Sequence, residues 1–502
     1  MHFTRFFVTL QKNLNISKLF DFFKVRDSFR TDIMASKKNY LRRSFHITLV
    51  VVFLLLLLFF LPRITLFDKT MRRVDVISDI LEKDSMGNVL AELYIDSLQG
   101  FVDSMLIEGP VPEVVKLDYK DSIPAGMVAI EDFGDSTGVH REMDKFYRAL
   151  DEADRRQVRI AVFGDSYIEG DILTSALRHL LQSKYGGRGP GWVEVSCVSE
   201  GFRNTIKNSN NGWEKHHSTD KHGFNTGSQS MASSYFIPGS NATFTLTCQN
   251  QNYPETLSYV DEVGVWFDNT SPLTLSLTLN DVNSQSINTH ELSGVQTFVT
   301  HDDSITKASL HASGSGIVYG MTLDSKTGII VDNYSLRGSP GVNLEKIPSN
   351  FLNAIAKYRP YDLIIYEFGL NVASERRKDY STYTEKFINV IQHMQSYLPD
   401  CSFLVFGASD RAKRGGDGNY HTMAGVVSLI NYQRKMASDS KVAFWNMRDA
   451  LGGDGAIAAL QKKGMAAKDF THLNFKGGEH IAKLFFDVLE NGKMNYDKRH
   501  GK

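Results

Sequence analysis

Cysteine is scarce in this 502-residue chain, which contains only Cys197, Cys248 and Cys401. Three scattered thiols cannot build a disulfide framework or a cysteine metal site, so we expect them to be inert. Net charge is also nearly absent, because 56 Lys and Arg stand against 57 Asp and Glu. The sequence therefore lacks the basic balance of a nucleic-acid-binding protein, and no nucleic-acid partner is expected. With 12 prolines and 42% hydrophobic residues, most of the chain is expected to fold.

The longest apolar run lies near the N-terminus. Between Arg43 and Arg63 stand 19 residues without a formal charge. As a helix they would extend about 28 Å, close to the hydrocarbon thickness of a bilayer. We predict a transmembrane helix over 47–62, after a basic head over 1–46 that favours a cytoplasmic N-terminus. No small-residue cleavage site follows, so we predict an uncleaved single-pass anchor.

The rest of the chain divides into a stalk and two kinds of folded sequence. Prolines and glycines punctuate 63–135, which predicts a stalk or linker. Over 136–200 and 332–495, apolar segments alternate with amphipathic ones, which predicts an α/β fold with a doubly wound parallel sheet. Between these parts, 201–331 alternates apolar and polar residues with period two, which predicts an inserted β-sandwich.

The α/β prediction rests on particular segments. The predicted strands are Val158–Phe163, Tyr361–Phe368, Ser402–Gly407 and Val442–Trp445. The predicted helices are His140–Arg156, Ile172–Tyr185, Leu344–Tyr358, Tyr380–Tyr397, Met423–Met436 and Phe475–Leu489.

Ser166 stands where the first predicted strand ends and a helix is predicted to begin. Open α/β sheets bind their ligands at this carboxyl edge. Gly164 and Gly170 would permit a sharp turn, and a helix N-terminus would direct N–H groups and partial positive charge at an oxyanion. A lone Gly-Asp-Ser also occurs as an ordinary helix cap, so Ser166 needs support from a second motif.

Asp469 and His472 supply that second motif just before the last predicted helix. Their spacing would let the carboxylate orient an imidazole that serves as base for a serine, although a capped helix with a surface histidine has the same pattern. Gly338 follows the β-rich region and Asn371 follows the Tyr361–Phe368 strand. The Gly338 backbone N–H and the Asn371 side-chain amide would complete an oxyanion hole with the Ser166 N–H, although an ordinary turn glycine and a strand-end asparagine have the same pattern.

Taken in order, Gly164-Asp-Ser166, Gly338, Gly369-x-Asn371 and Asp469-x-x-His472 resemble the four sequence blocks of the SGNH (GDSL-type) hydrolases. More narrowly, the segments around Gly164–Asp171 and Tyr185–Trp192 resemble those of bacterial peptidoglycan O-acetylesterases, which carry a carbohydrate-binding-module-like β domain between the first two blocks. The resemblance implies a three-layer α/β/α, flavodoxin-like fold. It also implies roles for single residues: Ser166 as nucleophile, His472 as base, Asp469 as its orienter, and Ser166, Gly338 and Asn371 as oxyanion hole, with no metal or other cofactor.

One residue departs from the family pattern, because Val372 follows Asn371 where that family usually has an acidic residue. Other groups predict no site of their own. Three histidines indicate a solvated loop rather than a metal site: His216, His217 and His222. Three basic residues indicate a solvated flexible loop near the crevice: Arg411, Lys413 and Arg414. Three tryptophans are expected in the core: Trp192, Trp213 and Trp266.

These observations favour a membrane-anchored serine esterase that removes O-acetyl groups from a cell-wall polysaccharide outside a bacterial inner membrane. Peptidoglycan is the first choice of substrate and an exopolysaccharide the second. Two alternatives stay open. The same acetyl-enzyme could pass its acetyl group to a sugar hydroxyl, as in an O-acetyltransferase, or the protein could be a catalytically idle glycan-binding membrane protein.

Overall fold

The computed structural model describes residues 65–66, 69–70, 112–220, 222–249, 252–290 and 293–502. The predicted head over 1–46 and anchor over 47–62 lie outside these residues. Among the described residues, no helix is both long and apolar enough to cross a membrane. The chain divides into Met1–Met86, which contains a short antiparallel pair of strands, β1 (Thr65–Leu66) and β2 (Lys69–Thr70), and Gly87–Lys502, which contains the remaining elements.

The strands of the second unit are β3 Ile130–Asp132, β4 Gln157–Gly164, β5 Gly191–Glu194, β6 Ile206–His217, β7 Ser234–Cys248, β8 Val260–Asp268, β9 Leu273–Leu279, β10 Asn283–Ile287, β11 Val295–Ile305, β12 Lys307–Gly314, β13 Ile317–Asp324, β14 Gly328–Ser335, β15 Leu363–Glu367, β16 Ser402–Gly407, β17 Ala412–Arg414, β18 Tyr420–Thr422 and β19 Ala443–Asn446. Its helices are α1 Asp144–Leu150, α2 Thr174–Tyr185, α3 Pro254–Leu257, α4 Ser349–Tyr358, α5 Ser381–Tyr397, α6 Ala424–Asp439, α7 Met447–Ala450, α8 Ala456–Lys462 and α9 Phe475–Arg499.

A six-stranded sheet with the order β14-β4-β15-β16-β19-β3 forms the α/β part. All of its neighbours are parallel except β3, which pairs antiparallel with β19 at one edge. Helix α9 contacts both α1 and α2, and α5 contacts both α4 and α6. These two groups form the outer layers of an α/β/α arrangement, in agreement with the α/β part of the predicted fold.

A row of aromatic rings lies near the carboxyl ends of three neighbouring strands at one side of the sheet. Tyr334, Phe163 and Tyr366 are register partners on β14, β4 and β15. The ring of Phe163 stacks on both neighbours, with centroids 5.0 and 5.8 Å away. All three residues are buried. The apolar row fixes the positions of the three strand ends, one residue before the chain leaves the sheet.

The residues between α2 and β14 form a nine-stranded antiparallel sheet from β5 to β13. Strand β7 pairs with β12 along Ala242–Thr247 and with β13 at Phe236, so it runs through both halves of the sheet. Inward side chains from both halves, such as Leu275 and Val265, share one apolar core. The sheet therefore folds over on itself. Its role as an inserted carbohydrate-binding domain stays a prediction.

Element boundaries differ from the sequence-based ones where patterning is weak. Residues Ile130–Asp132 form the edge strand β3, although 63–135 was expected to be a stalk. The expected boundary at 331 falls inside β14, and β5 joins the antiparallel sheet before residue 201. Strands of three or four residues carry too few alternating positions to be recognised by period. The predicted core tryptophans Trp192, Trp213 and Trp266 are all buried, which confirms that prediction.

Candidate active site

Three neighbouring parallel strands end at the same level of the sheet. Ser335, Gly164 and Glu367 are register partners at the ends of β14, β4 and β15. The chain leaves β4 to form β14 on one side and then crosses to β15 on the other, so the carboxyl end of β4 is a topological switch point, where open α/β sheets bind ligands. The predicted site residues Ser166, Gly338 and Asn371 each lie within four residues of one of these ends.

Glu367 packs closely against Gly164, at the start of the turn that carries Ser166. A Cβ atom on Gly164 would lie 2.8 Å from the carbonyl oxygen and 2.9 Å from Oε2 of Glu367, so only glycine fits there. Ser166 itself is half-buried. Helix α2 begins at Thr174 rather than Ile172, and a 3₁₀ turn over Glu169–Asp171 intervenes. Because the field of a helix terminus is confined to its first turn, the expected contribution of the α2 dipole at Ser166 is not supported.

Asp469 and His472 form the predicted carboxylate–imidazole pair. Asp469 Oδ2 lies 2.6 Å from His472 Nδ1, and Oδ1 accepts the His472 backbone N–H at 3.0 Å. Partial burial raises the pKa of Asp469, but the hydrogen bonds from His472 prevail and lower it to about 2. The side chain that caps α9 is Asn474, whose Oδ1 accepts the Gly477 N–H at 3.1 Å. Asp469 is thus not the helix cap, and the pair is free to act as base and orienter.

A hydrogen bond joins the serine turn to the histidine loop. The hydroxyl of Tyr167, which follows Ser166, donates to the carbonyl oxygen of Thr471, which precedes His472. Tyr167 is buried, so this contact is shielded from water. The two motifs lie about 300 residues apart in sequence, and this contact brings them together.

Ser166 and His472 do not form a direct hydrogen bond within the part of the chain that the structure describes. The hydrogen bond between a nucleophile and its base is often formed or shortened only when substrate binds. The lack of a direct Ser166–His472 hydrogen bond is therefore compatible with His472 as the base. His472 lies close enough to the serine turn that a positive charge on its imidazole would oppose the effect of burial on the pKa of Asp165.

The two predicted oxyanion donors outside the serine turn lie against that turn. The Leu336 N–H donates to the Gly164 carbonyl at 2.9 Å, which holds the start of the Gly338 loop. Gly338 has φ of +75°, a conformation that favours glycine. Asn371 Nδ2 lies 2.7 Å from Asp165 Oδ2 and 3.3 Å from the Ser339 carbonyl oxygen. The structure therefore gathers all the predicted site residues at one edge of the sheet.

The residues that sequence reasoning missed are those that support this edge. The segment around Arg411, expected to be a flexible loop, contains the two-stranded hairpin of β17 and β18. The Ala412 N–H donates to the Phe470 carbonyl at 3.1 Å, so the hairpin contacts the loop between Asp469 and His472. Tyr167 carried a weak signal, as a large residue directly after the candidate nucleophile. Nothing in the sequence pairs the hairpin with the histidine loop.

Comparison with solved structures identifies the fold. A structure of a peptidoglycan O-acetylesterase superposes with a TM-score of 0.59 and 24% sequence identity, covering 73% of this chain and 99% of that one. The chain shares the fold of this structure. A family two carbohydrate esterase from Clostridium thermocellum, in complex with cellohexaose, is also similar, with a TM-score of 0.26 and 12% identity over 52% of this chain and 94% of that one. No family model and no curated protein matches the sequence.

No cluster of His, Cys, Asp or Glu that could hold a metal ion occurs among the described residues. His216, one of the loop histidines, lies in β6 and stacks on Tyr235 with ring centroids 4.5 Å apart. The expected solvated loop is therefore partly a strand, and the imidazole packs as an aromatic ring.

Proposed function

We propose that this protein is a serine esterase that removes O-acetyl groups from a cell-wall polysaccharide, with peptidoglycan as the first substrate. The observation that carries the proposal is the Tyr167–Thr471 hydrogen bond, which holds the Ser166 turn against the loop of Asp469 and His472. The substrate class is supported by similarity to a peptidoglycan O-acetylesterase along nearly its whole chain.

In the proposed reaction, His472 takes the proton of Ser166 Oγ as that oxygen attacks the acetyl carbonyl carbon. Asp469 keeps Nδ1 of His472 protonated, so that Nε2 is the base. The tetrahedral oxyanion accepts hydrogen bonds from the Ser166 and Gly338 N–H groups and from Asn371 Nδ2. The bond between the acetyl carbon and the sugar oxygen then breaks, and His472 protonates that oxygen so that the sugar leaves with a free hydroxyl. Water, deprotonated by His472, attacks the acetyl-enzyme, and His472 returns the proton to Ser166 Oγ as acetate leaves.

We further propose that residues 47–62 anchor the chain in the bacterial inner membrane and that the catalytic part lies outside it. The basic composition of 1–46 supports a cytoplasmic N-terminus. A substrate fixed near the membrane surface suits an anchored enzyme. The antiparallel sheet over β5–β13 is the proposed glycan-binding part.

The test is acetate release from O-acetylated peptidoglycan and from a chromogenic acetyl ester by the full-length protein in detergent. Wild type is expected to act on both. Ser166→Ala should lose about 10³-fold or more in kcat, whereas the control Ser183→Ala, an exposed serine on α2, should keep its activity. Activity on the chromogenic ester alone would retain the esterase and reject peptidoglycan. Transfer from an activated acetyl donor without hydrolysis would favour the transferase.

A further inference from the structure

Two carboxyl groups are buried directly beneath the candidate nucleophile. Asp165 precedes Ser166 and Glu367 ends β15, and each residue is only 1% exposed. Because Glu367 and Gly164 are register partners, the Glu367 carboxyl occupies the space that a side chain at position 164 would need. It therefore lies beside the backbone that leads into Asp165 and Ser166.

Asp165 uses both of its oxygens as acceptors. Oδ1 accepts the Tyr167 N–H at 3.1 Å, and Oδ2 accepts an N–H of Asn371 Nδ2 at 2.7 Å. The other N–H of the same amide reaches the Ser339 carbonyl only at 3.3 Å. The amide is thus anchored firmly on Asp165 and loosely on Ser339, so the loosely held N–H is the one that can transfer to an oxyanion.

Glu367 has the opposite character. Its Oε2 is buried and, among the described residues, accepts no hydrogen bond. A bare carboxylate oxygen in such a place is costly, and a second negative charge beside Asp165 adds to that cost. Burial and the nearby charge of Asp165 raise the pKa of Glu367 well above its usual value, and they outweigh the Asp165 backbone N–H, which lowers it.

The surroundings of Asp165 are more favourable to charge. Burial raises the pKa of Asp165 to about 7, although the Tyr167 N–H and the nearby His472 imidazole oppose this rise by stabilising the ionised form. The other titratable groups that face the pair from neighbouring elements are His472, Tyr167, Tyr383 and Glu169, the last paired with Arg337.

We propose that Asp165 and Glu367 form a carboxyl pair in which Glu367 keeps its proton and the ionised Asp165 positions the Asn371 amide for the oxyanion. Both are positioning residues, since neither touches the reacting atoms. The pair places one negative charge, not two, below a site where negative charge develops on the substrate. The kinetic consequence rests on the proposed esterase function, whereas the protonation of Glu367 does not.

Asp165→Asn tests the anchoring role. An asparagine must turn its NH2 group toward either the Tyr167 N–H or the Asn371 amide, so a donor meets a donor in both orientations. On a chromogenic acetyl ester, kcat is expected to fall about 100-fold, as for loss of an oxyanion donor, with KM changed less than about threefold. The matched control is Asp154→Asn, an exposed carboxylate in the segment before β4, which should retain wild-type kinetics.

A double-mutant cycle separates positioning from general damage. In an Asn371→Ala background, Asp165→Asn should lower kcat by less than about threefold further, because both changes remove the same donor. A 100-fold loss in both backgrounds would overturn the anchoring role. Every variant is made as the full-length protein, and its thermal unfolding midpoint is measured so that misfolded variants are recognised.

The protonation of Glu367 has a readout that needs no activity. The infrared difference spectrum of wild type against Glu367→Gln at neutral pH should contain a carboxylic-acid C=O band that belongs to wild type alone. Absence of this band would mean an ionised Glu367 and would overturn the pair, even if Asp165→Asn failed to fold. If wild type hydrolysed no ester, the proposed function would fail, and the band would still decide the protonation of the pair.

Discussion

The ring of Tyr420 stacks on the ring of Phe470, with their centroids 3.9 Å apart. Phe470 lies between Asp469 and His472 and has φ of +54°, a left-handed conformation that a bulky residue seldom adopts without support. Tyr420 lies in the hairpin of β17 and β18, which belongs to neither large sheet. The loop that carries the candidate base is therefore held by a small separate element.

Tyr420→Ala is expected to lower kcat about tenfold or more, because an active-site loop displaced by even 1 Å loses catalytic alignment. Tyr420→Phe keeps the stacked ring and should retain activity to within about twofold. Steady-state kinetics on a chromogenic acetyl ester checks both variants. Equal losses in the two would show that the hydroxyl, and not the stacking, matters.

Tyr167→Phe removes the hydroxyl that donates to the Thr471 carbonyl. The free energy of unfolding is expected to fall by about 1–3 kcal/mol, since a shielded carbonyl loses its partner. Urea unfolding measures this change, and kcat should fall in parallel. The matched control is Tyr366→Phe, because the buried Tyr366 hydroxyl has no hydrogen-bond partner among the described residues. That variant should be as stable as wild type or more so.

The positions of the candidate site residues could be predicted from sequence because each lies next to a strong structural signal. Ser166 comes directly after a continuous apolar strand, and β16 was predicted at its observed limits of Ser402–Gly407. Asp469 and His472 stand just before α9, whose start at Phe475 was also predicted. Parallel strands buried on both faces give uninterrupted apolar runs, so their ends are easy to locate.

The supporting residues could not be predicted, because they act through contacts between distant segments. Nothing near Tyr420 in the sequence points to Phe470, and strands as short as β17 and β18 have no usable periodicity. Glu367 lies inside the predicted strand Tyr361–Phe368, and its burial beside Gly164 follows only from the register between β15 and β4. Such burial is set by tertiary packing and not by local preference.

Arg359 is expected to be essential for stability. Its guanidinium is buried and bonds Asp324 and Asp332, with the closest contact to each at 2.6 Å. Arg359→Met would leave two buried carboxylates without their counter-charge, at a cost of about 3–5 kcal/mol. Urea unfolding checks the value, with the exposed Arg148→Met as control. A loss of less than about 1 kcal/mol in the free energy of unfolding would contradict a stabilising role for the ion pairs of Arg359 with Asp324 and Asp332.

Asp469→Asn is expected to lower kcat about 10⁴-fold by allowing the wrong tautomer of His472. The pKa of Asp469 is about 2, because hydrogen bonds from His472 outweigh the effect of partial burial. The wild-type carboxylate therefore stays ionised between about pH 5 and pH 8, and its own titration contributes nothing to the pH–rate profile in that range. Steady-state kinetics on a chromogenic acetyl ester measures the loss, with Asp487→Asn, a half-exposed carboxylate on α9, as control. A loss of less than about tenfold would show that the Asp469 carboxylate does not orient His472.

The hairpin that supports Phe470 is expected to loosen as pH rises. His421 lies between two carboxylates, with Nδ1 2.9 Å from Asp454 and Nε2 2.9 Å from Asp417, and these hydrogen bonds raise its pKa. A raised folded-state pKa means that this stabilisation is complete below the unfolded value of about 6.5 and is lost as pH rises through the folded value.

Amide hydrogen exchange of the hairpin, corrected for the intrinsic pH dependence of exchange, should therefore accelerate across that window in wild type. In His421→Gln the corrected rates should be fast and independent of pH, because no charge remains to be lost. The wild-type effect should shrink in high salt, since these side chains are about half exposed and their attraction is screened. If the variant kept the wild-type pH dependence, another group would have to control the hairpin, and the attachment of the histidine loop would not depend on His421.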